Sequence, residues 1–246
     1  MSNERKAEME FSDYSTPYLE VPKKLPSHPD NLLPAPFRAL FIGCSGSGKT
    51  YSIIGMIQKF YSGFFDRIHI FSPSAGQSAT NPWSLLGLPS ERICETYDEA
   101  EIKKIVEHQK ESEITQGKLP KTLLIFDDCA GILQGKQNSY IARYIMHARH
   151  DNVSILMTTQ KCCAIPTSIR CNVDHVICFK ISNQKELDTI LKENGDAENI
   201  RELYEYAVSP VEGQPPSFFH INKRSNRFFK NWNVELNITV EPNQVV

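Results

Sequence analysis

Eight consecutive residues constrain this chain more than any others: Gly43, Cys44, Ser45, Gly46, Ser47, Gly48, Lys49 and Thr50 match the pattern GxxxxGK[ST]. The apolar run Phe37–Ile42 (FRALFI) precedes them and reads as a buried parallel strand. The stretch Thr50–Tyr61 follows and reads as a helix. A strand, a glycine-rich turn and a helix in that order form a cradle for phosphate groups. The glycines let the backbone curl so that its N–H groups point inward, and the helix start adds a partial positive charge. On this reading Lys49 reaches the terminal phosphates of a nucleotide, most simply ATP, and the Thr50 hydroxyl ligates Mg²⁺. Cys44 is a small loop residue.

Downstream, apolar runs alternate with helical patterns. Strands are expected at Arg67–Phe71, Thr122–Phe126, Val153–Thr159 and His175–Lys180. Helices are expected at Asp98–Thr115, with Ile102, Ile105 and Val106 as its apolar stripe, and at Tyr140–Arg149, Glu186–Glu193 and Ala197–Ala207. This alternation predicts an α/β fold: a P-loop NTPase core with a mostly parallel central sheet flanked by helices. Three parts are expected. Residues 1–36 carry Pro17, Pro22, Pro26, Pro29, Pro34 and Pro36 and read as an extended arm or, equally, a loose tail. Residues 37–216 form the core, and residues 217–246 a β-rich extension, hairpin or edge strands.

The strand Thr122–Phe126 ends in Asp127 and Asp128. Two carboxylates at a strand end beside a phosphate loop suit a metal partner, Asp127, and a base that orients or deprotonates the attacking water, Asp128. Asp128-Cys129-Ala130-Gly131 also spells the DxxG of GTPases, but no NKxD base-reading motif accompanies it; Asn183-Gln184-Lys185-Glu186 fails at two positions. The strand Val153–Thr159 runs into Gln160, whose amide can accept from a water and donate to a phosphate. That strand is expected between the loop strand and the acidic strand, as in ATPases with an additional catalytic acid. Three arginines are candidates for a finger that stabilises charge on the transferring phosphoryl group: Arg149 first, then Arg170 and Arg143.

Taken in order, GCSGSGKT, LLIFDD and ARHDNVSILMTTQ resemble the viral genome-packaging ATPases of the poxvirus type, in the FtsK–HerA division of P-loop ATPases. The resemblance runs from about Leu33 to Phe179. It implies an ATP- and Mg²⁺-dependent motor, a homo-oligomeric ring that drives double-stranded DNA through its pore into a preformed capsid, docked on a capsid or portal-like vertex. It implies the same roles for Lys49, Thr50, Asp127, Asp128 and Gln160, and an intersubunit role for Arg149. It places the protein at a viral assembly site in the host cytoplasm or in the virion. Many wider relatives carry Glu where Asp128 stands. Other readings remain open: a nucleotide kinase or GTPase switch, or an assembly factor that uses ATP to change shape. No Arg-rich acceptor lid, as a kinase needs, is visible.

The rest of the composition bears on surroundings and partners. With 40% apolar and 23% charged residues the 246-residue chain can bury a core, and no apolar run reaches the ~18–20 residues of a membrane span. The opening MSNERKAEMEFSD is polar, without a signal-peptide core. The seven cysteines are odd in number and include no CxxC pair, and they read as reduced, mostly buried thiols. A soluble intracellular protein without a membrane partner is expected. The net charge of −2 gives no overall pull toward nucleic acid, so a DNA contact needs a local patch. His220–Trp232 (HINKRSNRFFKNW) is one candidate, with Lys223, Arg224, Arg227 and Lys230 among Phe228, Phe229 and Trp232. The same pattern also fits a solvated edge strand with its aromatics in the core. Lys161 and Arg170 are rival DNA contacts.

Overall fold

A computed structural model describes residues 32–75, 81–128, 130–133, 140–195 and 199–236. Most of the expected arm, residues 1–31, and the end of the expected extension, residues 237–246, lie outside them. In chain order the elements are β1 (Arg38–Ile42), α1 (Lys49–Phe60), β2 (Arg67–Phe71), β3 (Ile93–Cys94), α2 (Glu99–Gln116), β4 (Thr122–Phe126), α3 (Ala130–Leu133), α4 (Tyr140–His147), β5 (Val153–Thr159), α5 (Thr167–Asn172), β6 (His175–Cys178), α6 (Gln184–Asn194), α7 (Ile200–Ala207), β7 (Phe219–Asn222), β8 (Arg227–Lys230) and β9 (Val234–Leu236).

The described strands form one nine-stranded sheet in the order β3-β2-β4-β5-β1-β6-β7-β8-β9. The first six are parallel; β7, β8 and β9 continue it as an antiparallel meander. The C-terminal strands therefore extend the core sheet. β5 lies between the loop strand β1 and the acidic strand β4, as expected of the additional-acid type.

The central strands read as unbroken apolar runs because both faces of the sheet are covered. In β1, Ala39 and Phe41 join one core while Leu40 and Ile42 join the other; in β4, Leu123 and Ile125 oppose Leu124 and Phe126. On the first face α1 buries Ile53, Ile54, Met56, Ile57 and Phe60 beside Trp83 and Trp232. Leu32, Leu33 and Phe37 close this face, and the Tyr61 hydroxyl donates to the Leu33 carbonyl at 2.5 Å. On the opposite face lie Ile102, Ile105 and Val106 of α2, Ile141 and Ile145 of α4, and Leu187, Ile190 and Leu191 of α6.

The expected helix ending at Arg149 is shorter than its pattern suggests. α4 stops at His147, and Ala148–Asp151 tightens into a 3₁₀ turn that Asn152 closes at φ 56. The six described cysteines are free, but Cys44, Cys163 and Cys171 are exposed and only Cys162 and Cys178 are buried, so the expectation of mostly buried thiols is corrected. Each exposed one sits in a turn or at a helix end, outside the apolar runs that fill the core.

Candidate functional site

The phosphate loop leaves β1 at its C-terminal end. Gly43 must be glycine: a Cβ there would stand 2.7 Å from Ser47 Oγ and 2.8 Å from Phe179 Cβ. Gly48 caps α1 at φ 93, a left-handed conformation that side chains disfavour. No side chain caps the start of α1 and no acid lies in its first turn. Asp98 and Asn183, by contrast, accept from backbone N–H groups at the starts of α2 and α6. An uncapped helix start leaves its first amides for an external anion. Ser47 Oγ is also buried in this loop without a hydrogen-bond partner among the described residues. The Lys49 ammonium donates to the carbonyl oxygens of Gly43 at 2.6 Å and Cys44 at 2.8 Å. Burial lowers its pKa, and the charges of Asp127 and Asp128 offset only part of that shift.

Gly43 N–H donates to the Thr159 carbonyl at 3.2 Å. This bond seats Gln160, the next residue, beside the mouth of the loop with its side chain exposed. One strand further, Asp127 and Asp128 follow β4 into surroundings that differ sharply. Asp127 is buried. Its Oδ1 accepts from Thr158 Oγ1 at 2.7 Å, and its Oδ2 accepts from Ser72 Oγ at 2.8 Å and Trp83 Nε1 at 3.3 Å. Its own N–H donates to the Phe71 carbonyl at 2.8 Å, and its carbonyl accepts from the Tyr97 hydroxyl. Asp128 is exposed, with φ 51, and its N–H donates to Thr158 Oγ1 at 2.8 Å. Thr158 thus touches both acids from the strand that carries Gln160.

Ser72, Trp83, Tyr97 and Thr158 were not visible as site residues in the sequence. Thr158 left a faint signal, a hydroxyl on the strand that ends at Gln160. The others come from the end of β2 and from the segment before α2, and only the folded chain brings them to Asp127.

No group of three or more His, Cys, Asp or Glu side chains that could hold a metal occurs among the described residues. Thr50 and Asp127 offer hard oxygen donors, and the three donors on Asp127 hold its carboxylate in a fixed orientation. Such a sparse set fits an ion that takes most of its ligands from phosphates and water, which is how Mg²⁺ behaves.

The three candidate fingers separate. Arg170 Nε and Nη2 clasp Glu193 at 2.8 and 2.6 Å, and its side chain is 10% exposed. The expectation of Arg170 as a finger or a DNA contact is corrected: it is a buried tie between α5 and α6. Arg143 is exposed on α4. Arg149 Nη1 pairs with Asp174 Oδ1 at 3.2 Å while 41% of its side chain stays exposed. The same carboxylate holds Arg38 and Arg224. Burial alone would raise the Asp174 pKa, but hydrogen bonds from Arg224 and Arg38 overcome it and hold the group below the usual carboxylate range. This cluster lies at the start of β1, about 13 Å of strand away from the phosphate loop. Arg149 is therefore remote from the loop of its own chain.

The basic segment near the C-terminus resolves toward its structural reading. Phe228, Phe229 and Trp232 are buried. Lys223 Nζ donates to the carbonyls of Arg170 and Cys171, Arg224 pairs with Asp174, Arg227 with Glu235, and Lys230 Nζ donates to the Tyr206 carbonyl. Each cation has a partner within the chain, which favours the structural reading over a DNA contact. Lys161 remains exposed next to Gln160.

Comparison with known proteins places this geometry in a family. The family model described as "Poxvirus A32 protein" matches residues 27–203, more than half of the chain. The DNA packaging protein OPG160 of Monkeypox virus is 30% identical over 156 residues, 62% of this chain and 51% of that relative. Its counterpart in Vaccinia virus (strain Western Reserve) shows the same identity over 56% of its length. The match thus takes in about half the length of these curated relatives. Among solved structures, the genome packaging NTPase B204 from Sulfolobus turreted icosahedral virus 2, in complex with ATP-gammaS, superimposes with a TM-score of 0.54 at 19% identity. That superposition covers 80% of this chain and 97% of the other, and it shows a shared fold. With the family model matched over residues 27–203, the chain belongs to the poxvirus A32 protein family.

Proposed function

We propose that this chain is an ATP-hydrolysing motor that moves double-stranded DNA and packages a viral genome into a preformed capsid. One observation carries the reading: the strand order β4-β5-β1 sets Asp127 and Asp128, Gln160, and the Lys49 loop at the same ends of three adjacent parallel strands. A phosphate chain in the loop then has its terminal phosphate facing a carboxylate and an amide. The relatives named as DNA packaging proteins support DNA as the track.

The chain's residues divide the chemistry. Loop amides and the Lys49 ammonium receive the β- and γ-phosphates, the ammonium exchanging the Gly43 and Cys44 carbonyls for phosphate oxygens. Asp128 takes a proton from the attacking water as its oxygen bonds to the γ-phosphorus. The bond to the bridging oxygen breaks, leaving ADP and phosphate. Gln160 accepts from that water and donates to a γ-oxygen. Thr50 and Asp127 would hold Mg²⁺, which when bound neutralises charge on the β- and γ-oxygens. Arg149 serves the loop of a neighbouring subunit in a homo-oligomeric ring, which is consistent with its distance from its own loop. The ring docks on a capsid or portal-like vertex, at the assembly site in the host cytoplasm or in the virion.

ATP turnover by the assembled protein, measured with and without duplex DNA, tests the reading. Turnover should rise with DNA, the rise should fade as salt increases, and Lys49→Ala should abolish it. A rate indifferent to saturating DNA at low salt overturns the motor.

A further inference from the structure

The segment 209–216 joins α7 to β7 and comes to rest on the phosphate loop. A Cβ built on Gly48 would meet the Pro216 ring at 3.5 Å and the Phe179 ring at 3.7 Å, so proline and loop glycine are in van der Waals reach. Phe179 is fully buried beneath, whereas residues 211–216 are exposed. The sequence here, Val211-Glu212-Gly213-Gln214-Pro215-Pro216, reads as a turn and nothing more.

Both ends of this segment are pinned. The Tyr204 hydroxyl donates to the Phe179 carbonyl at 3.2 Å and accepts from Ile181 N–H at 2.7 Å, tying α7 to the chain that leaves β6. Lys230 Nζ donates to the Tyr206 carbonyl at 3.3 Å and to Ser209 Oγ at 3.4 Å. At the far end, Phe218 and Asn231 exchange two hydrogen bonds of 3.0 and 2.9 Å. Inside it, Gln214 N–H closes a turn on the Val211 carbonyl at 3.1 Å. Lys230, the last residue of β8, thus anchors the start of this segment.

The sheet order gives any bound nucleotide a direction. Asp127, Asp128 and Gln160 all lie on the β5 side of the loop, so the reacting phosphate points that way. The nucleoside must then leave on the opposite, β6 side, where Phe179 and Pro216 stand. We infer that the exposed Pro216, backed by Phe179, is the platform on which the base of a purine nucleoside triphosphate rests. This assignment rests on reading Gly43–Thr50 as the phosphate site. The proline ring is rigid and apolar, so it offers dispersion contact to a flat base at little entropic cost, and a purine covers more of it than a pyrimidine does.

Two measurements on the full chain test the platform. Photolysis with 8-azidoadenosine triphosphate, followed by digestion and mass spectrometry, should label a peptide that carries residues 209–216. Label confined to other peptides overturns the assignment. Pro216→Ala should weaken ATP binding about tenfold, the loss expected for two methylene groups, while inorganic tripolyphosphate binds as before. An equal loss for both ligands, or a loss for neither, also overturns it. If the wild-type chain binds neither ATP nor tripolyphosphate, the phosphate site itself fails, and the platform with it.

Discussion

Asp127 and Asp128 are neighbours in the chain, yet the fold gives them different surroundings. Three donors clamp the first, and the second projects into solvent from a left-handed turn. A clamped carboxylate suits a fixed charge, and an exposed one suits proton transfer. Asp128→Asn should therefore keep ATP binding while turnover falls about 10²–10⁴-fold, read by equilibrium binding beside phosphate release. The buried histidines make a second prediction. His175 Nδ1 and His220 Nε2 share a hydrogen bond of 3.1 Å across β6 and β7, and their other ring nitrogens have no partner among the described residues. Burial pushes the pKa of His175 down to about 4 and that of His220 well below its ordinary value. His69 is likewise lowered to about 4, by burial first and then by Arg92 and Arg67. A depressed histidine pKa means that the unfolded chain binds the proton more tightly. Its stability contribution is whole above the unfolded value of about 6.5 and drains as pH falls toward 4. His175 alone should cost about 2 kcal/mol by pH 5, seen as a falling urea midpoint between pH 6.5 and 4.

At the scale of elements, a polar tie joins two helices beside the apolar faces. Arg170 on α5 clasps Glu193 on α6 and donates to the Ile165 carbonyl. Arg170→Ala leaves the part-exposed Glu193 without its partner and should cost about 1–3 kcal/mol. The melting temperature should drop, while ATP turnover per folded molecule stays near wild type; a selective loss of turnover at unchanged stability would restore Arg170 as a finger candidate. Most central elements were legible in the sequence because period and length agreed: β1, β2, β4, β5, α1 and α2 fall within a residue or two of their expected bounds. The two-residue strand β3 and the short helix α5 were not foreseen. Neither has enough residues to show a period, and each is held by a longer neighbour: β2 pairs with Ile93 and Cys94, and α5 buries Ile169 and ties to α6 through Arg170.

Over the whole molecule, the two ends of the sheet gather different groups. Its C-terminal end carries the phosphate loop, the acid pair and Gln160, and its N-terminal end gathers Arg38, Arg149 and Arg224 on Asp174. Such separation suits a ring in which the arginine end of one subunit faces the phosphate end of the next. A Lys49→Ala chain mixed with an Arg149→Ala chain should then recover part of the turnover that each lacks alone, because some boundaries pair an intact loop with an intact arginine. Mixtures shown to co-assemble yet silent would confine Arg149 to holding Asp174. The same view changes what charge reversal near the C-terminus should do. Glu in place of Lys223, Arg224 and Arg227 sets new carboxylates beside Asp174 and Glu235, so the melting temperature should fall before any effect on DNA can be read.

What the sequence determined by itself is what short-range chemistry can write. The glycine spacing, the lysine and hydroxyl at a helix start, and the acids closing an apolar run all act within one turn or one strand. The alternation of such units implied a parallel sheet. Tertiary structure decided what depends on distant partners. Trp83 reaches Asp127 across 44 residues, Asp174 joins arginines from three separate segments, and Pro216 settles on Gly48 from the other end of the chain. It also decided which partners the basic run at 223–230 meets. Composition cannot tell a lysine aimed at solvent from one bonded to a carbonyl, because that difference lies in where the next strand passes.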